Sequence, residues 1–157
     1  MKEVQAKLAK EFEFCIKGYC DDLGALSTEQ LAHRPNSTTR SGLDFTFEVG
    51  VVNRRMAKRF RGETNEAWPY KSWVTAPDDF QTQEQAIAEV QSSGGELLAA
   101  WNAMPVERLL EEVEMSDGSM VAMFDLMVHG ISHMSYHMAQ LNYIQTLHGD
   151  GKMHWEM

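Results

Sequence analysis

Cysteine is scarce in this chain: Cys15 and Cys20 are the only two among 157 residues. Five positions apart on one predicted helix, they point to different sides, so a strain-free disulfide between them is not expected. Two unpaired thiols fit a reducing compartment, and with it a cytoplasmic location. Positive charge is also short. Fourteen Lys and Arg stand against 23 Asp and Glu, a formal net charge of -9. A field of that sign repels polyanions, which argues against nucleic acid or an anionic membrane as partner. The one basic cluster, Arg54, Arg55, Lys58, Arg59 and Arg61, reads as the solvated face of a helix. No apolar stretch approaches the roughly 20 residues needed to span a bilayer. Met1 to Phe14 mixes Lys and Glu without an apolar h-region, so no signal peptide is expected.

What is present is a chain of one-domain length, residues 1–157, with 43% apolar residues to build a core. Val4, Leu8, Phe12, Cys15 and Tyr19 recur at helical spacing and predict a first helix from Lys2 to Leu23, with a further turn over Leu26 to Leu31. The polar run His33 to Ser41 reads as a loop. A second helix is predicted from Ser41 or Gly42 to Arg61, its apolar stripe Phe45, Val49, Val52, Met56 and Phe60, with Gly62 as the stop. The irregular stretch Glu63 to Phe80 carries Trp68, Tyr70 and Trp73, aromatics that suit a flap packed over the domain. A third helix runs from Thr82 to Met104, where Gly94 and Gly95 favour a bend. Around Met115 to Met120 a turn with a small hairpin is expected. The fourth helix extends from Val121 to His148 and stops at Gly149. Four long helical patterns with no sustained β-alternation give an all-α class and a four-helix bundle.

The last of these helices holds the residues with chemistry. Each position turns by about 100°, so with Leu126 at zero, His133 falls about 20° to one side and His137 about 20° to the other. Both imidazoles therefore sit mid-stripe, aimed inward. Buried imidazoles need partners, and an i, i+4 pair lets two rings converge on one ion. The alternative is a pair of hydrogen-bonded core histidines. His129 lies about 60° off the stripe and about 12 Å along the axis from His137, which suits a position behind or beside the site. Two imidazoles rarely hold a divalent ion alone. Glu48, the sole carboxylate between Phe45 and Val52, lies at the margin of the second helix's apolar arc and is the favoured third ligand. Asp44, Asp125 and His33 are weaker candidates. Gln140, one turn beyond His137, suits orienting a ligand, and Tyr136 suits a pocket wall, although plain packing explains Tyr136, Trp68, Tyr70 and Trp73 as well. Nothing near Cys15 or Cys20 would depress a thiol pKa. The many methionines, Met134 and Met138 among them, fit either a plastic core or a dimer surface.

Taken together, these motifs resemble the DinB/YfiT-like superfamily of metal-dependent proteins over nearly the whole chain. Leu31 to Pro35 (LAHRP) is similar to the family segment before the second helix. The H-x-x-x-H-x-x-Q motif is matched by His133, His137 and Gln140. Counting back 14 residues from the closing Gly62, where the family places its first metal-binding His, lands on Glu48. Where the family often has a basic-Gly pair after the last His, this chain has Met138 and Ala139. The resemblance implies a four-helix bundle, often homodimeric, with a zinc, nickel or, as an alternative, iron ion held by Glu48, His133 and His137. It further implies a thiol-transferase-like or hydrolase-like reaction on a small molecule, with a low-molecular-weight thiol as co-substrate. The contrasting expectation is a non-catalytic bundle that has lost its metal and binds small molecules or dimerises.

Overall fold

A computed structural model describes residues 1–64 and 66–154; Asn65, inside the predicted flap, lies outside the described residues. The protein is mostly helical. In chain order the elements are α1 (Lys2–Gly24), α2 (Thr28–Ala32), α3 (Gly42–Phe60), α4 (Gln83–Ala103), a 3-10 turn (Val106–Leu110), β1 (Glu112–Glu114), β2 (Met120–Ala122) and α5 (Met123–Leu147). Three helices begin with a reciprocal cap, in which a Ser or Thr oxygen accepts from the third backbone N–H and that residue's side chain accepts from the cap's N–H. The pairs are Ser27 with Gln30, Ser41 with Asp44, and Thr82 with Gln85.

The four long helices share one core. α3 packs on α4 and α5, and α1 packs on the same two helices. Phe12 and Tyr19 of α1, Val49 and Phe60 of α3, Leu97 and Trp101 of α4, and Met134 and Leu141 of α5 are all buried in it. The α3 stripe is as the spacing predicts, with Val52 only partly buried, whereas Val4 at the start of α1 is exposed. Met134 and Met138 are core residues. α3 ends where Gly62 takes φ +79°, the left-handed conformation that closes a helix, with Glu63 N–H donating to the Lys58 carbonyl and Gly62 N–H to that of Arg59.

α4 continues as one helix through Gly94 and Gly95, where a bend is expected from sequence. Gly94 serves packing: a Cβ there would stand 2.7 Å from the end of Ile16, so the missing side chain lets α1 approach α4. The expected hairpin forms with Glu112 opposite Ala122, Val113 opposite Val121 and Glu114 opposite Met120. Because β2 takes Met120–Ala122, α5 starts at Met123 rather than Val121. Among the described residues no helix is long and apolar enough to cross a membrane.

Candidate metal centre

Glu48 sits a turn and a half into α3, and His133 and His137 occupy adjacent turns of α5, which packs against it. This packing brings one ligand atom from each residue to within 4.8 Å of the others. His133 Nε2 lies 3.2 Å from His137 Nε2 and 3.8 Å from Glu48 Oε1. Donors held about 2.0–2.2 Å from a tetrahedral ion stand roughly 3.3–3.6 Å apart. The two His133 separations lie close to that range, and the third pair falls within the 4.8 Å that bounds the group.

The surroundings fix how the His137 ring presents its nitrogens, whereas His133 Nδ1 is buried without a hydrogen-bond partner among the described residues. His137 is 1% exposed, and its Nδ1–H donates to Gln140 Oε1 at 2.7 Å, which leaves the Nε2 lone pair facing His133. A ligating histidine is held in this way, one nitrogen tied back and the other free to coordinate. Phe45 stacks on the His137 ring at 5.3 Å and 10° between planes, and Tyr136 meets its edge at 5.0 Å. The His133 ring stands nearly perpendicular to that of His137. Burial, together with the neighbouring His133, pushes His137 down to about 4, so it is neutral at pH 7, the form that binds metal.

Glu48 has a second partner that sequence reasoning missed. Arg40 donates to its Oε2, while Oε1 faces His133. Burial alone would raise the Glu48 carboxyl; the His133 ring and the Arg40 charge outweigh it and hold it below the ordinary glutamate value. Glu48 is thus an anion with one oxygen tethered and one available. The Arg40 guanidinium also lies 5.3 Å over the Trp73 ring. Arg40 comes from a polar loop, and nothing in its sequence context signals which way it turns.

Beside this group is a cavity of about 480 Å³ lined by Arg40, Phe45, Trp73, Tyr136, Gln140 and Tyr143 among others. Trp73 and Tyr136 thereby take the pocket-wall position considered for them, while Trp68 and Tyr70 pair with each other away from it, with Arg55 over Trp68. His129 is exposed and absent from the cluster. Asp44 is fully buried but engaged: it caps α3, binds Arg34 and accepts from the Ala76 N–H at 2.9 Å. Asp125 is exposed, and His33 is exposed against His148. None of these joins the three ligands. Both cysteines are free, and burial raises each thiol, Cys20 to about 11, which leaves them protonated and poor nucleophiles.

The basic cluster of α3 departs from the solvated face expected of it. Arg54 pairs with Glu89 and Glu96 of α4, Arg61 pairs with Glu63 and Glu96, and Arg59 is buried. Set against known proteins, the chain matches no family model and no curated protein.

Proposed function

We propose that the protein is a metal-dependent enzyme built on a DinB/YfiT-like four-helix bundle, with Glu48, His133 and His137 holding one divalent ion. The observation that carries this reading is the convergence of three ligand atoms, from two helices, within 4.8 Å. Two imidazoles and a carboxylate suit zinc or nickel, with iron as the alternative, and three protein ligands leave a position open for a reactant. An ion so held supplies a Lewis acid that lowers the pKa of a thiol or water and so favours a nucleophile near neutral pH.

The chain's own residues supply the rest. Gln140 fixes the His137 ring, Arg40 fixes the Glu48 carboxylate, and Phe45 shields the imidazole from water. Trp73, Tyr136 and Tyr143 offer aromatic walls to a small organic substrate in the adjoining cavity. The reaction proposed is transfer of a low-molecular-weight thiol to an electrophile, with hydrolysis as the variant in which water attacks. The thiol, the homodimer and a cytoplasmic setting rest on the family resemblance and on composition.

A second reading, a bundle that no longer holds metal and acts as a small-molecule-binding or dimerisation module, is favoured by the Arg40–Glu48 ion pair, which sets a positive charge beside the ligands. Metal content decides between them. Purified protein is expected to carry close to one divalent ion per chain by elemental analysis, and His133→Ala and His137→Ala close to none. Equal, near-zero metal in all three would remove the enzyme reading. In that case Glu48→His is expected to restore tight binding.

A further inference from the structure

At the far end of α3, Arg59 is largely buried and its guanidinium meets only the solvent of a cavity, with no acidic partner in hydrogen-bonding distance among the described residues. Arg59 is 8% exposed, and among the described residues no hydrogen bond, ion pair or ring contact reaches its guanidinium. Its neighbours sharpen the imbalance. Burial, and after it the adjacent Arg55 charge, lower its pKa, and among the described residues no acidic group acts the other way. An arginine stays charged even so, because its reference pKa lies too high for proton loss to relieve it. A buried charge without a partner is strongly unfavourable, and natural structures resolve it with a counter-ion.

Arg59 lines a cavity of about 350 Å³ that Arg55 and Arg108 also line. These two are already committed. Arg55 donates to the Glu66 carbonyl at 2.6 Å, and Arg108 donates to the Phe60 carbonyl at 3.0 Å and to Glu111. Both remain close enough to add positive potential, while Arg59 keeps its donors unused. Four carboxylates also border the cavity: Glu63, Glu66, Glu111 and Glu114. All four are exposed, and Glu63 and Glu111 are answered by Arg61 and Arg108. Exposed charges are screened by water, so they offset a buried guanidinium weakly. Val113 and Met115 of the hairpin segment provide a half-buried apolar wall.

We infer that this cavity binds a small oxyanion-bearing molecule, a phosphate or carboxylate compound, through the unused fork of Arg59 with Arg55 and Arg108 beside it. A planar guanidinium presents two parallel N–H groups that match two oxygens of either anion. Arg59 is 11 residues beyond Glu48 on one helix, roughly 16 Å along its axis, so the site is separate from the three metal ligands.

The test uses the full chain stripped of metal with a chelator and desalted, so that no anion response arises at the metal site. Its melting temperature is followed against inorganic phosphate, phenyl phosphate and succinate, with chloride at matched ionic strength as reference. A saturable rise with phosphate compounds, with succinate, or with both supports the proposal and tells which oxyanion is preferred. Arg59→Met, similar in volume and uncharged, is expected to melt higher than the natural chain without anion and to lose the response at least tenfold. Lys58→Gln, the same charge loss one residue away and off the cavity wall, is expected to keep it within twofold. The proposal is overturned if no anion outperforms chloride on the natural chain, or if Arg59→Met and Lys58→Gln weaken the response equally. It is overturned too if Arg59→Met melts lower without anion.

Discussion

Near the start of α3, Glu48 is met by Arg40 on one oxygen and faces His133 with the other; three turns further along the same helix, Arg59 is buried with no acidic partner among the described residues. Both positions place a formal charge at the inner margin of one helix. At the first, the charge is answered within the chain and tuned by neighbours so that one oxygen stays available to a cation. At the second, the adjacent charge is the Arg55 guanidinium, and the carboxylates that border the cavity are exposed to water. The difference shows that burial alone does not mark a site. What marks it is the remaining electrostatic demand, for a cation at Glu48 and an anion at Arg59.

The largest expected effect is at the histidines. Removing either imidazole of the Nε2 pair, by His133→Ala or His137→Ala, is expected to weaken divalent-metal binding by roughly a hundredfold or more, measured by titration calorimetry, since two remaining donors rarely retain such an ion. Arg40→Gln probes the same end in the opposite sense. One positive charge fewer beside the ligands is expected to tighten metal binding about tenfold, an effect that shrinks as salt is raised. If Arg40→Gln instead abolished binding, tethering of Glu48 would outweigh repulsion.

Asp22 offers a third buried charge, one that can escape by protonation. It is 1% exposed near the end of α1, and burial pushes its carboxyl up to about 6 from 3.8. A folded pKa above the unfolded one means that its stabilising contribution is complete below pH 3.8 and is lost as pH rises through about 6. Asp22→Asn is therefore expected to be more stable than the natural chain by roughly 1–3 kcal/mol at pH 7 and no different near pH 3.5, by urea unfolding. Arg59 has no such escape, so its stability deficit is expected to persist across that range. Smallest is the effect at Glu96, whose partners Arg54 and Arg61 are partly exposed. Glu96→Gln is expected to cost less than about 1 kcal/mol in low salt and close to nothing in 1 M salt.

Much of this was legible in the residues themselves. Helical spacing located the four long helices, Gly62 located the end of α3, and the four-residue step from His133 to His137 placed both rings on the inward face of α5. These are local properties, set by the 100° turn per residue and by backbone conformations that glycine adopts readily. The packing role of Gly94 was not legible, because it depends on Ile16, 78 positions away, coming within reach across α1 and α4.

The amino-acid order by itself determined which side chains could converge: two imidazoles one turn apart, a carboxylate on another helix's margin, a basic run at that helix's end. Only the tertiary structure decided which of them did. It turned Arg40 onto Glu48, laid Phe45 on His137, sent Arg54 and Arg61 to the acids of α4 and left Arg59 largely buried on a cavity wall. The physical reason is that a charge's partner is fixed by distance and dielectric, and both are set by packing between segments that are remote along the chain.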